Sequence, residues 1–309
     1  MATWAIKTES PDSEFRKALD QVAALNGPVV DIESMITDLD LGRGAFGAVE
    51  EDNRRAIVGR IREGVRAYFK SIHDSRREAP LYAAFANAIV KGDVVVTFNY
   101  DTALENELVQ RSKFCVRDGY GFTVNWDEPD SDVLVLKPHG SINWNGLLFG
   151  GNQGFGGFTT VLGPQPFIDN ADRDLFNYPD RALDKSFPGG GVRGSAVTLV
   201  LPTYEKRFSV RTSVGNEWAS FYESLWSKAA ESLQLSDRIV IIGYSLPIAD
   251  RLSRAVLLWS ANKRAEVLIC SASSNSYIRT EFENHGFWRV LEMGTFEKFL
   301  GITSERVAT

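Results

Sequence analysis

Asp93-Val-Val-Val-Thr-Phe-Asn-Tyr-Asp101 decides the fold. Three consecutive valines, preceded by a charge and a glycine and ended by polar residues, read as a strand buried on both faces, as in parallel sheets. The residues that follow, TALENELVQ, have a helical pattern, and Asp101 is placed to accept hydrogen bonds from its first free backbone N–H groups. Asn99 and Asp101 therefore lie on a strand-to-helix turn, and open α/β sheets bind ligands beyond the carboxyl ends of their strands.

Two further stretches end the same way. Val133-Leu-Val-Leu136 runs into Lys137-Pro-His139-Gly-Ser141, and Arg238-Ile-Val-Ile-Ile242 runs into Gly243-Tyr-Ser245-Leu-Pro247 and then a helix. If these strands are parallel, Asn99, His139 and Ser245 converge on one sheet edge. A fourth strand, Glu266-Val-Leu-Ile-Cys270, ends at Ser271, a helix follows over about 275–283, and a last strand is expected over 289–293. The fold class is accordingly α/β: a Rossmann-like parallel sheet with helices on both faces, an N-terminal helical region and an inserted subdomain or loop.

The N-terminal region, residues 11–91, carries four helical stripes: Phe15, Leu19, Val22, Leu25; Ile32, Ile36, Leu39; Ile57, Ile61, Val65, Phe69; and Leu81, Phe85, Ile89, the last begun by Pro80. All read as core. Between the second and third lies Leu41-Gly-Arg-Gly-Ala-Phe-Gly-Ala-Val49, a GxGxxG match. No VAIK strand, HRD or DFG accompanies it, and no apolar strand precedes Gly42, so a flexible link between helices is the favoured reading.

Residues 142–196 break the strand–helix rhythm and read as an insertion within a single domain spanning 1–309. Ile142-Asn-Trp144 and Leu147-Leu-Phe149 suggest a hairpin; GGNQGFGG and a segment rich in Pro, Asp and Asn follow, either a lid or a surface loop. A strand over 196–201, ended by Pro202, restores order. Trp218, Phe221, Leu225, Ala229 and Leu233 then mark a long helix, and Ile248, Leu252, Val256 and Trp259 another.

The 309 residues carry a net charge of −6, which argues against an extended nucleic-acid footprint. Cys115 and Cys270 are the two cysteines; they exclude a four-cysteine zinc ribbon and a disulfide framework, and a reducing cytoplasm is the natural setting. No apolar run is long enough to span a membrane. Of three histidines, His139 follows a strand and stands next to Gly140; it suits a general base, or else is a satisfied structural residue. Asn99 either fixes a water or sugar hydroxyl or braces its own turn. Gly243 permits close backbone approach, and Ser245 is a candidate cap for the helix begun near Pro247.

Taken in order, TFNYD at 97–101, KPHGS at 137–141 and IIGYSLPIAD at 241–250 resemble the sirtuin-like domains of bacterial anti-phage defence proteins, over roughly residues 80–290. The resemblance implies a Rossmann-type sheet that binds NAD as substrate and hydrolyses it to nicotinamide and ADP-ribose. It puts the family asparagine on Asn99 and the catalytic histidine on His139. Gly243, Tyr244 and Ser245 fall where the phosphates and ribose lie, and Ser271 near the adenosine end. Thr97, Phe98, Asp101, Gly140 and Ser141 complete the motifs as binding residues. No metal is implied; the other partner is a second copy or a protein of a defence system.

The chain departs from the family pattern in two places. Deacylating sirtuins carry a zinc ribbon that two cysteines cannot build, which favours hydrolysis over protein deacylation. No strand leading into a glycine-rich pyrophosphate loop precedes Asp31. Either the chain starts downstream of that loop or this member has lost it, with a substituted strand over 1–7 as one consequence. The alternative function is a non-catalytic module that binds NAD or ADP-ribose.

Overall fold

The computed structural model describes residues 14–26, 32–74, 79–121, 131–151, 159–165, 190–197, 199–201, 219–248, 250–272 and 276–301. The fold class is the Rossmann-like α/β expected, with small parallel sheets flanked by helices. The chain divides into two compact units. One comprises Met1–Arg77, Phe98–Thr102 and His139–Phe221; the other comprises Glu78–Thr97, Ala103–Pro138 and Tyr222–Thr309.

In the first unit, α1 (Glu14–Asn26), α2 (Ile32–Leu41) and α3 (Glu51–Asp74) pack their stripes together. Phe15, Leu19 and Val22, then Met35, Ile36 and Leu39, then Ile57, Val58 and Ile61 form one buried cluster. Leu25 leaves the stripe and stands 40% exposed, one residue from the end of α1, where the helix outruns its packing partners. Gly64 lets α1 approach α3, since a Cβ there would overlap the ring of Phe15.

The glycine-rich stretch does link two helices, but it is packed rather than loose. Gly42 and Gly44 take positive φ, 65° and 56°, and a 3₁₀ turn spans Gly44–Ala48. That turn drives Phe46 into the helical core at 0% exposure. Arg54 of α3 donates to the Val49 carbonyl and, at 3.5 Å, to that of Phe46, which also accepts from the Val49 amide at 3.1 Å.

The insertion contains an antiparallel sheet of β3 (Asn145–Gly151), β4 (Thr159–Gln165) and β5 (Gly190–Val197), in the order β4-β3-β5. Here two expectations are corrected. Residues 142–144 form a turn, with the Trp144 amide donating to the Ser141 carbonyl at 3.1 Å, and only Leu147-Leu-Phe149 belongs to a strand. Of the strand placed over 196–201, Ala196 and Val197 end β5, opposite Gly146 and Asn145. Residues 199–201 run on outside any ladder, because Val200 finds other partners: its amide donates to the His139 carbonyl at 2.9 Å, and its carbonyl accepts from the Tyr100 hydroxyl at 2.6 Å.

The second unit holds α4 (Pro80–Ala88), β1 (Val94–Val96), α5 (Ala103–Gln110), α6 (Val116–Gly119), β2 (Leu134–Leu136) and α7 (Ala219–Leu235). β6 (Arg238–Ile242), α8 (Arg251–Ala255), β7 (Glu266–Cys270), α9 (Ser276–Asn284), β8 (Arg289–Gly294) and α10 (Phe296–Phe299) follow. Pro80 stands in the first turn of α4, as its fixed φ favours. All pairings of these strands are parallel, but they hydrogen-bond as two groups among the described residues, β1-β2 and β6-β7-β8. β7, with a neighbour on each side, is the fully buried strand, Val267 through Cys270 all under 9% exposed. β1 is not buried on both faces. Val94 is 36% exposed and Val95 and Val96 are half-buried, and among the described residues β1 has β2 as its one ladder partner.

Two members of the last stripe also fall outside the core. Ile248 precedes α8 and is 76% exposed; Trp259 is 73% exposed. α8 passes into a π turn over Val256–Ser260, whose wider step turns Trp259, within it, away from the 3.6-residue stripe. The possible strand over 1–7, most of GGNQGFGG, the segment through 189, Pro202, Trp218 and Asn275 lie outside the described residues.

Candidate functional site

Asn99 lies three residues beyond the end of β1 and His139 three residues beyond the end of β2, which are parallel partners with Val96 opposite Leu136. The two turns they begin are joined within the first unit. The Ile142 amide donates to the Tyr100 carbonyl at 3.1 Å, and the Ser141 hydroxyl approaches the same oxygen at 3.5 Å. The rings of Phe98 and His139 stand 5.0 Å apart, tilted by 40°. His139 is 7% exposed, whereas Asn99 is exposed and Phe98 and Asp101 half-buried. Gly140 takes φ 85°, a left-handed turn that releases the chain from β2 at the histidine. Arg66 of α3 donates to the Ile142 carbonyl at 3.0 Å, and Phe69 meets the Tyr100 ring edge-on at 6.0 Å.

In the second unit, the residue that ends β2 is a charge with no solvent. Lys137 is 0% exposed, and its ammonium lies 2.7 Å from Glu105 of α5, itself 2% exposed in its side chain. The Tyr120 hydroxyl donates to the same carboxylate at 3.3 Å. A buried ammonium is tolerated only with such an acceptor. Thr97 donates its amide to the Leu136 carbonyl at 2.9 Å, extending the β1–β2 ladder by one bond.

The same unit places Gly243 and Ser271 at adjoining strand ends. The Gly243 amide donates to the Cys270 carbonyl at 3.0 Å, and the Ser271 amide to that of Gly294 at 2.8 Å. Gly243 and Ser245 are exposed, Ser271 half-buried. Tyr244 is half-buried and its hydroxyl donates to Asp250 at 3.1 Å. Burial first, and the nearby Asp250 charge second, push the Tyr244 phenol well above its usual value, so it stays protonated as a donor. Ser245 does not cap α8. That role belongs to Asp250, whose carboxylate accepts from the Ser253 amide at 3.4 Å, because the helix begins at Arg251 rather than next to Pro247. Burial raises the Cys270 thiol to about 11.

Of the residues singled out from sequence, Phe98, Asn99, Asp101, His139, Gly140 and Ser141 fall in the first unit; Thr97, Gly243, Tyr244, Ser245 and Ser271 fall in the second. Of the other histidines, His285 bonds the Glu281 carbonyl through Nδ1 at 2.7 Å and packs edge-on against Trp259, which accounts for it structurally; the side chain of His73 lies outside the described residues. Sequence reading passed over Tyr100, Lys137 and Arg254. For Lys137 a signal existed, since a charge directly after an apolar strand must find a partner. For Arg254 none did. Among the described residues, no group of three or more His, Cys, Asp or Glu side chains is placed to hold a metal ion, and no helix is long and apolar enough to cross a membrane.

No protein-family model matches the chain, and no curated protein matches it.

Proposed function

We propose that this chain hydrolyses NAD to nicotinamide and ADP-ribose, with His139 as proton acceptor and Asn99 as the group that holds the attacking water or a ribose hydroxyl. The observation that carries this reading is the joining of two strand-end turns in one unit: Phe98 against His139 at 5.0 Å, and Ile142 bonded to Tyr100. In the reaction, water adds to the anomeric carbon of the nicotinamide ribose. The carbon–nitrogen bond breaks with its electron pair passing to the nicotinamide ring, and His139 takes the proton of the water. Nicotinamide leaves as a neutral molecule, so the demand falls on stabilising an oxocarbenium-like transition state and placing one water. Within the first unit, Phe98, Asp101, Gly140 and Ser141 would line the nicotinamide riboside; within the second, the motif resemblance assigns phosphate and ribose binding to Gly243, Tyr244 and Ser245. An effector role in anti-phage defence, in the cytoplasm and with a second copy or a defence-system protein as partner, rests on the motif resemblance.

The test is nicotinamide release by the parent chain, by a version extended at its N-terminus, and by His139→Ala and Asn99→Ala variants of whichever is active. Loss of a positioned base should lower the rate by about 10²-fold or more. Inactive parents, or variants that keep full activity, overturn the proposal. One observation favours a second reading, a non-catalytic module that binds NAD or ADP-ribose: the His139 ring is only 7% exposed. Calorimetric binding of NAD without turnover would support that alternative; rapid turnover would eliminate it.

A further inference from the structure

Among its described residues, the loop after β6 contains two in the left-handed conformation. Gly243, at φ 62°, adopts this freely; Leu246, at φ 53°, does not. A leucine there brings its Cβ against the following carbonyl, and a branched aliphatic residue offers no local hydrogen bond in return. Leu246 is nevertheless buried, at 1% exposure. Something outside the loop must hold it.

Arg254, on α8, supplies the restraint. One guanidinium nitrogen donates to the Leu246 carbonyl at 2.9 Å and to the Tyr277 hydroxyl at 2.7 Å, and the other terminal nitrogen ion-pairs with Glu281. The guanidinium carbon also sits 5.9 Å from the centre of the Tyr277 ring. Two contacts on α9 thus fix the plane of the fork, and the fork fixes the carbonyl of the strained residue. A second tie lies nearby, where the Tyr244 hydroxyl reaches the capping carboxylate of Asp250. With Tyr244 and Leu246 both drawn inward, Gly243 and Ser245, on either side of Tyr244, are left exposed. Among the described residues other than Gly243 and its two chain neighbours, no heavy atom lies within 4 Å of the point where a Cβ on Gly243 would stand.

We infer that Arg254 is a positioning residue for dinucleotide binding: it holds Leu246 in its left-handed conformation and thereby presents the backbone at Gly243 and Ser245 to the phosphoryl groups of the ligand. Arg254 does not touch the ligand. The identity of that ligand rests on the NAD reading above; the clamp itself does not. Lysine is no substitute, because a single ammonium cannot reproduce a planar fork with three fixed partners.

The experiment compares the parent with Arg254→Met, Arg254→Lys, Leu246→Asn and the double variant Arg254→Met/Leu246→Asn. ADP-ribose affinity is measured by calorimetry, and KM and kcat for NAD by nicotinamide release. Arg254→Met should weaken ADP-ribose binding and raise KM by about tenfold while kcat changes little, the pattern of lost uniform binding. Arg254→Lys should lose a comparable amount, and it carries the test if Arg254→Met does not fold. Asparagine tolerates the left-handed conformation better than leucine, so Arg254→Met should cost several-fold less in the Leu246→Asn background. Unchanged KM and affinity in both Arg254 variants, or the same loss in either background, overturns the inference. If the parent neither binds ADP-ribose nor releases nicotinamide, the NAD reading fails separately. The clamp is then read from amide hydrogen exchange over 243–246, where faster exchange in the Arg254 variants supports it and unchanged exchange overturns it.

Discussion

The helical core around α1–α3 and the interior of the strand-bearing unit are held together in different ways. The first cluster is built of apolar side chains, and its glycine-rich connector turns a phenylalanine into it while Arg54 bonds the connector's carbonyls at the periphery. The second buries a lysine, a glutamate and a tyrosine in one network, and fixes its exposed loop through an arginine. Apolar contact is non-directional, so such a core accepts changes that keep its volume. A buried charge pair is directional and needs both members, so it tolerates loss of the pair better than loss of either partner. The glycine-rich match near the N-terminus and the glycine turn after β6 look alike in sequence. One folds an aromatic ring inward; the other leaves its backbone exposed.

The comparison is broken most directly at Lys137. Lys137→Met leaves Glu105 buried without its counter-charge and should destabilise the protein by about 3–5 kcal/mol, read as a fall in the urea midpoint. Lys137→Met combined with Glu105→Leu should recover most of that loss. A single variant as stable as the parent would remove the contrast between the two interiors.

Phe46→Ala, in the apolar connector, should cost on the order of 3 kcal/mol, and Phe46→Leu less than about 1.5 kcal/mol. Equal losses for the two would mean that the connector depends on the ring's shape rather than on its volume. The smallest effect concerns pH. The Cys270 thiol, buried in β7, titrates near 11 when folded against an ordinary 9.0. Its folded form keeps a proton that the unfolded chain releases, so its contribution is constant below about pH 9 and declines as the pH rises toward 11. Urea midpoints at pH 8 and pH 10 should therefore fall further for the parent than for Cys270→Ala. Identical slopes would show that the thiol does not titrate differently on folding.

The strand ends were legible wherever the signal was local. β1, β2, β6 and β7 each lie within the apolar run that marks them, β8 runs one residue past the expected 289–293, and the α1, α2 and α3 stripes, at 3.6-residue spacing, supply most of the helical core. The errors have a common cause. The run of valines predicts a buried Val94, but burial depends on whether a second strand or a helix covers it. Helical spacing puts Trp259 on a stripe, but it falls within a π turn that shifts the register. Proximity to Pro247 offers Ser245 as a cap, but the helix begins later and Asp250 takes the place. The strand over 196–201 was cut short because Val200 satisfies its backbone on His139 and Tyr100 instead of on a ladder.

By itself, then, the amino-acid sequence determined the parallel strands and the long amphipathic helices, though not the antiparallel strands of the insertion, and it determined that Asn99, His139, Gly243 and Ser271 stand just beyond apolar strands, because periodicity and turn chemistry act over a few neighbouring residues. Tertiary structure alone decided that Lys137 would meet Glu105, 32 residues away, that Arg254 would reach back to Leu246, and that the turns bearing Asn99 and His139 would share hydrogen bonds. Pairing of buried polar groups is set by residues remote in the chain that arrive together only when the apolar elements have packed.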